Sequence, residues 1–319
     1  MSDVETPLPP HVRGTVVTVG TFDGVHRGHQ HVLARLRARA QALGLPTLVV
    51  TFEPHPLEII RPGGAPARLT VREERRLALA GCGVDYLAEI PFTPAFRALP
   101  AEAFIRDLLV RRYRMRALIL GYDHGFGRGR EGDAALVRDV AATEGFEVEI
   151  VDAISLPSGD RVSSTVLRDA IASGDLGRAE RALGRRYEVV GRVTVGEGRG
   201  RLLGYPTINL ALPSPRKLLP PQGVYAVRVT SGAGSFGGMM NLGPRPTFGD
   251  ETVTLEVHLF GAAGEWYGRP VGVEFVARLR DTMKFSGPDA LVAQLKLDAE
   301  HAHRALTEVL SPDTLRGSR

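Results

Sequence analysis

One cysteine, Cys82, stands among 319 residues. A lone thiol excludes an intramolecular disulfide framework and any metal site built from several cysteines. Long apolar runs are also missing: no stretch approaches the roughly 18 apolar residues of a membrane-spanning helix. The opening residues, MSDVETPLPP, have neither the basic start nor the apolar run of a secretory signal. Together these absences lead to an expectation of a reduced, cytoplasmic protein with no membrane partner. Nor is there a long Lys/Arg block. The 40 basic residues exceed the 36 acidic ones, for a formal net charge of +4, but they are mostly scattered arginines. Such scatter suits small phosphorylated ligands better than a nucleic-acid backbone, so no nucleic-acid partner is expected. The phosphate loop GxxxxGK[ST] is absent, which argues against a P-loop nucleotide enzyme. There is no internal repeat and no low-complexity tract.

What is present falls into two halves. Up to about residue 184, short β-branched runs alternate with helical stretches. Strands are expected at Thr15–Gly20, Thr47–Phe52, Tyr86–Ile90, Ala117–Gly121 and Val148–Asp152. Val32, Leu36, Ala40 and Leu43 share one helical face, and Arg72–Gly81, Ala101–Tyr113 and Asp133–Glu144 also read as helices. This alternation predicts an α/β, Rossmann-like domain with a parallel sheet, whose ligands bind outside the carboxyl ends of the strands. After Tyr187 the period changes to two. The segments YEVVGRVTVG, GVYAVRVT, SFGGMMNLG, VTLEVHLF and VGVEFVARLR are short strands between Gly and Pro turns, closed by a helix over about Asp289–Leu310. They predict a small antiparallel barrel or sandwich. The boundary is placed at Gly184–Tyr187, giving domains 14–184 and 185–319.

The stretch TVVTVGTFDGVHRGHQHVL, residues 15–33, carries the first half's chemistry. A strand that runs through glycines into a helix offers free backbone N–H groups and a positive dipole end to an anion. His26 and His29 can add hydrogen bonds to phosphate oxygens as charge builds during transfer; a tight turn with two exposed histidines is the plainer alternative. Ser163, Ser164 and Thr165 precede the helical pattern Val166, Leu167, Ala170, Ile171. With Arg168 one turn inside, they make either an ordinary N-cap or a second phosphate clamp. In the second half, Thr207 and Asn209 lie two apart on a strand after a glycine loop, so both can address one object. A hydroxyl and an amide oxygen suit Mg²⁺ bound to a triphosphate. In VTLEVHLF, Val253, Leu255, Val257 and Leu259 form the apolar, inward face, while Thr254, Glu256 and His258 project outward. Glu256 is then either solvated surface or, if it faces Thr207 and Asn209, a group that takes a proton from a substrate hydroxyl.

The string GTFDGVHRGH resembles the HxGH signature of the nucleotidyltransferase superfamily. TFEPHP (51–56), GYDHGFGRGREGD (121–133) and VSSTVLR (162–168) follow in that family's order. The KMSKS loop that accompanies HxGH in class I aminoacyl-tRNA synthetases is not found. GEGRGRLLGYPTINL (196–210), QGVYAV (222–227), NLGPRPTF (241–248), VTLEVHLF and FVARLRDTMKF (275–285) resemble riboflavin kinase. In this order the two halves resemble the bacterial bifunctional riboflavin kinase/FAD synthetases over nearly the whole chain. The resemblance implies an antiparallel barrel that phosphorylates riboflavin to FMN with ATP, and a first domain that joins FMN to AMP with release of pyrophosphate. It implies catalytic roles for Glu256, His26 and His29. ATP would be bound by Gly20, Phe22, His26, His29, Ser164, Thr165 and Arg168 in the first half, and by Gly198, Gly204, Thr207 and Asn209 in the second. Mg²⁺ would be held by Thr207 and Asn209, and flavin by Asp123, Phe126 and Arg280. The implied partners are riboflavin, FMN and ATP, on a monomer or weak homo-oligomer. Three residues depart from the family pattern: Ile208 replaces the alanine of its PTAN element, His124 an aromatic, and Thr282 a commonly acidic residue.

Overall fold

A computed structural model describes residues 1–3, 8–122, 132–196, 199–244, 253–262 and 264–308. Two compact units divide between Val166 and Leu167. In the first, strands β1 (Ser2–Asp3), β2 (Thr15–Val19), β3 (Thr47–Glu53), β4 (Tyr86–Pro91), β5 (Met115–Gly121) and β6 (Glu147–Val151) form one parallel sheet ordered β1-β4-β3-β2-β5-β6. The two-residue edge strand β1 has no periodic signal in the sequence; the other five lie where the β-branched runs place them. Alternate residues feed different faces. Val17, Val19, Leu48, Val50, Leu118 and Leu120 enter one apolar cluster, and Val16, Val49, Ala117 and Ile119 the other. A strand covered on both sides therefore reads as a nearly unbroken apolar run.

Helices α1 (Arg27–Leu43), α2 (Pro56–Ile60), α3 (Arg72–Gly81), α4 (Pro94–Arg97), α5 (Ala101–Ala103) and α6 (Ala134–Glu144) accompany the sheet. Helix α1 buries Val32, Leu33, Leu36 and Ala40, and Gly44 ends it with a left-handed φ of 63°. The helix expected over Ala101–Tyr113 departs from regular geometry. After α5 it continues over Phe104–Arg112 in the wider π form, with the Tyr113 N–H bonded to the Leu108 carbonyl at 3.0 Å. The chain runs β2, β3, β4 to one side and then returns to place β5 on the other side of β2. The sheet's switch point thus lies between the ends of β2 and β5, where ligands of such sheets bind.

Helix α7 (Ser164–Ser173) spans the division between the units. The change of period read at Gly184–Tyr187 falls where helix α8 (Leu176–Leu183) stops at a left-handed Gly184 and strand β7 begins. In the second unit, β7 (Glu188–Thr194), β8 (Ile208–Ala211), β9 (Gly223–Ser231), β10 (Gly234–Pro244), β11 (Val253–Leu259) and β12 (Pro270–Arg280) close an antiparallel barrel ordered β10-β11-β8-β7-β12-β9. Of barrel and sandwich, the fold is the barrel. Leu255, Val257 and Leu259 are buried, while Thr254, Glu256 and His258 between them are half-buried on the outer face. Val253, expected among the inner residues, is instead 38% exposed, because it is the first residue of its strand. The short helix α9 (Arg199–Leu202) interrupts the β7–β8 connection. Helix α10 (Pro288–Glu308) lays Ala302 against Ala226 and Met239 on the outside of the barrel. Its buried Asp298 holds Arg280 of β12 with two parallel hydrogen bonds, Nε to Oδ1 at 2.8 Å and Nη2 to Oδ2 at 2.6 Å.

Candidate active sites

At the end of β2 the backbone of Phe22 (φ 48°), Gly24 (φ 88°) and Val25 (φ 42°) turns left-handed. For β-branched Val25 this is a strained conformation, costing on the order of 1–3 kcal/mol. Asp23 fixes it. Its buried carboxylate accepts from the N–H groups of Leu69 (3.2 Å) and Thr70 (2.9 Å), and the Thr70 hydroxyl accepts from the Gly24 N–H (2.9 Å). The chain then enters α1 with His26 as its N-cap, the imidazole Nδ1 accepting from the His29 N–H at 3.3 Å. The two imidazoles stack, centroids 3.8 Å apart and planes 14° apart, with the Phe22 ring 5.0 Å from His29. Glycine separates them for a steric reason: a Cβ on Gly28 would stand 3.1 Å from Cε1 of His26. Gly20 is similarly tight, since its Cβ would meet the Phe22 ring at 3.1 Å.

Burial, and secondarily the neighbouring His26, hold the His29 pKa well below its ordinary 6.5. The ring is therefore neutral at pH 7, and its enclosed Nδ1 has no hydrogen-bond partner among the described residues. Such a group, beside the free N–H groups of a helix start, can take up a hydrogen bond to an anion without bringing a permanent charge.

The serines of VSSTVLR divide their work. Ser163 caps α7 by accepting from the Val166 N–H (3.2 Å), and Ser164 donates to the Asp23 carbonyl (3.0 Å). The start of α7 is thereby tied to the turn that carries the histidines. Thr165 is exposed, and half-buried Arg168 follows one helical turn after Ser164.

On the barrel, strand alternation turns Ile208 and Leu210 inward and Asn209 outward. Asn209 is in direct register with Thr194 of β7 and with Glu256 of β11; Glu256 is in turn in register with Asn241 of β10. Directly opposed residues project to the same side, Cβ atoms about 4.5–5.5 Å apart. Thr194, Asn209, Glu256 and Asn241 thus form one polar row across four strands. Thr207 stands one residue before β8, half-buried. Glycines bring the preceding loop down onto this row. A Cβ on Gly196 would fall 2.0 Å from Nδ2 of Asn209, and one on Gly200 would fall 2.3 Å from the Tyr205 carbonyl oxygen. Gly204 has a φ of 81°. His258 ties the loop's exit to β11, its Nδ1 2.8 Å from the Pro206 carbonyl oxygen and its ring against Tyr205.

Residues 8–166 match the family model described as FAD synthetase, and residues 183–306 the one described as riboflavin kinase. The bifunctional riboflavin kinase/FMN adenylyltransferase of Escherichia coli K12 is 41% identical over 286 residues, 89% of this chain and 90% of that one. That of Pseudomonas fluorescens is 43% identical over 300 residues, 94% of this chain and 95% of its own. The chain belongs to the bifunctional riboflavin kinase/FMN adenylyltransferase family. As a member it makes FMN from riboflavin and ATP, and FAD from FMN and ATP. A solved structure from Streptococcus pneumoniae, named a macrolide-efflux protein, is similar in fold, with a TM-score of 0.82 and 32% identity over 93% of this chain and 95% of that one. Efflux belongs to that protein's name. No described helix of the present family member is long and apolar enough to cross a membrane.

Of the residues that the sequence singles out, the structure brings together Gly20, Phe22, His26, His29 and Ser164 at the β2–α1 turn. It brings together Asn209 and Glu256 on the barrel. Arg280 stands apart from Glu256, its guanidinium engaged by Asp298 and by the Asp281 carbonyl at 2.8 Å. Asp123, His124, Phe126 and Gly198 lie outside the described residues. The sequence reading gives no role to Asp23, which fixes the turn, to His258, which ties the loop to β11, or to Asn241, in register with Glu256. For Asn241 a signal existed: it is the polar residue between buried Met240 and Leu242, the same alternation that drew attention to Glu256.

Proposed function

We propose that the two reactions of this family member occur at these two places, with Glu256 as the base of the kinase step and His26 and His29 stabilising the adenylyl transfer. The observation that carries the kinase assignment is the direct register of Glu256 with Asn209. Glu256 takes the proton of the terminal ribityl hydroxyl as its oxygen bonds to the γ-phosphorus of ATP; the bond to the β–γ bridging oxygen breaks and ADP leaves. Thr207 and Asn209 offer hard oxygen donors, and the fit of Gly196 against Asn209 holds one of them in place. They suit a Mg²⁺ ion bound mainly through ATP oxygens, and that ion would neutralise phosphate charge. Gly198 and Gly204 are assigned to ATP binding.

In the first unit an FMN phosphate oxygen attacks the α-phosphorus of ATP and pyrophosphate departs. Gly20, Phe22 and the α1 N-terminus receive the nucleotide, neutral His29 and its stacked partner His26 meet the developing charge, and Ser164, Thr165 and Arg168 hold the remaining phosphates. Asp123 and Phe126 are assigned to FMN. Arg280, locked by Asp298, shapes the flavin end of the barrel. The functional boundary lies at 184/185, and the single thiol, Cys82, supports a reduced, cytoplasmic setting.

Incubation with riboflavin, ATP and Mg²⁺, resolved by chromatography, should give FMN first and FAD later, with pyrophosphate appearing only alongside FAD. Chelation of Mg²⁺ should stop FMN formation; undiminished kinase activity in the chelator would refute the metal assignment. A fragment beginning at Arg185 should fold and phosphorylate riboflavin. Folding only of fragments that begin before Leu167 would move the boundary into α7.

A further inference from the structure

Glu256 has a register partner on each side, and only one of them is accounted for. The glycine loop, Thr207 and Asn209 lie toward β7 and β8, which makes that the nucleotide side. A hydroxyl that attacks the nucleotide's phosphate beside Glu256 must then arrive from the other side, where Asn241 stands on β10. The Asn241 side chain is exposed and makes no hydrogen bond among the described residues. Gly243, two residues on, is buried and carries no side chain. A Cβ there would lie 3.5 Å from the Thr282 methyl, and 3.7 and 3.9 Å from the amide nitrogen and oxygen of Asn241. Thr254, the register partner of Gly243, donates to the Gly243 carbonyl at 3.2 Å. Beyond Asn241 the same row passes to buried Val224 on β9 and to Arg280 on β12.

This arrangement sets an exposed amide, with a buried glycine and two threonines near it, in the row that leads away from Glu256 toward an apolar residue. Its chemistry suits a chain of neutral hydroxyls. An amide can both donate to and accept from a hydroxyl, and it offers no charge to compete for a phosphate. Strands are about 4.8 Å apart. With its terminal hydroxyl at Glu256, a ribityl chain would carry its next hydroxyls, one and two carbons behind, over the neighbouring strand. We propose that Asn241 binds the inner hydroxyls of the ribityl chain and so selects a polyol-bearing flavin for phosphorylation. The inference rests on reading Glu256 as the base and the Asn209 side as the nucleotide side.

The test compares riboflavin with a flavin whose side chain is 5-hydroxypentyl, which keeps the terminal hydroxyl and lacks the inner ones. The full-length enzyme should prefer riboflavin in kcat/KM by about tenfold, the scale of a hydrogen-bonded pair that the analogue leaves unmade. Asn241→Leu should lose about tenfold on riboflavin and less than about twofold on the analogue, so that the preference collapses. FAD formation from supplied FMN and thermal melting report whether the variant is folded. Should the leucine disturb the barrel, Asn241→Ser, small and still polar, decides by the same ratio and should show an intermediate preference. An equal loss on both flavins, no loss on either, or a wild-type enzyme that does not distinguish them would overturn the proposal. Glu256→Gln, run in parallel, should slow both flavins alike. If it slows neither, the reading of Glu256 as the base has failed, and that failure is separate from the selectivity ratio that judges Asn241.

Discussion

At the β2–α1 turn the groups proposed to meet phosphate are close in sequence and largely main chain. Gly20 to His29 supply a helix start, a stacked imidazole pair and two glycines that leave room for the rings. On the barrel the corresponding groups are side chains from separate strands. Thr194, Asn209, Asn241 and Glu256 meet only because four strands pair in one register. The turn achieves its geometry by local strain, held by buried Asp23. The barrel achieves it by alternation, which puts every second residue outside at no conformational cost. The difference teaches where each site is vulnerable. The turn depends on steric exclusions at single residues, and the barrel row on long-range pairing.

If the two sites work separately, damage to one should spare the other. The largest effect is expected for His29→Ala, which should cut FAD formation by about 100-fold or more while FMN continues to accumulate from riboflavin. Parallel loss of both products in a folded variant would contradict separate sites. Glu256→Gln should reverse the pattern, lowering FMN formation by at least about tenfold and leaving FAD formation from supplied FMN near normal. The residue lies on the outer face, so its melting temperature should hold; a lower one with both activities lost would mark Glu256 as structural.

A subtler probe is Gly196→Ala. The added methyl would fall 2.0 Å from the Asn209 amide and displace it. Kinase KM for ATP should rise about fivefold, on the scale of one lost hydrogen bond, with adenylyl transfer unaffected. An unchanged KM would mean that Asn209 does not need its observed position.

The smallest effect concerns pH. The folded-state pKa of His29 lies below its ordinary value of 6.5, mainly through burial. On acidification the unfolded chain therefore binds the proton first. The stability held by the neutral ring is fully present above about 6.5 and is lost as pH falls from there toward the lowered folded value. His29→Asn, which cannot titrate, should show a shallower fall in melting temperature between pH 8 and pH 5.5, by a few degrees. Identical slopes would indicate that His29 is not buried neutral.

The sequence discloses these two regions unequally, for the same reason that they differ. Strands β2 to β6, the apolar face of α1 and the HxGH turn are local patterns, legible from spacing alone. Barrel closure is not, because alternation says which residues share a face but not which strands are neighbours. Glu256 could be singled out from alternation; its pairing with Asn209, 47 positions earlier, needed the register. Asn241 carries the same alternation signal as Glu256, between buried Met240 and Leu242, but that signal does not say which strand it faces; the register with Glu256 does. For Arg280 the motif points to a flavin contact, and the sequence does not disclose that its guanidinium also pairs with Asp298 of α10, an ion pair between separate elements. Ser164, read as a phosphate group, also braces the neighbouring turn through Asp23, a contact spanning 141 positions.

The central claim, two chemically independent sites, is tested most directly by mixing. Full-length His29→Ala and Glu256→Gln would be incubated separately and then together with riboflavin, ATP and Mg²⁺, and FAD measured by chromatography. Alone, the first should stop at FMN and the second should make little of either product. Together they should form FAD from riboflavin, because FMN made on one molecule can be adenylylated on the other. A mixture that accumulates FMN yet forms no FAD, although Glu256→Gln still converts supplied FMN, would contradict the account.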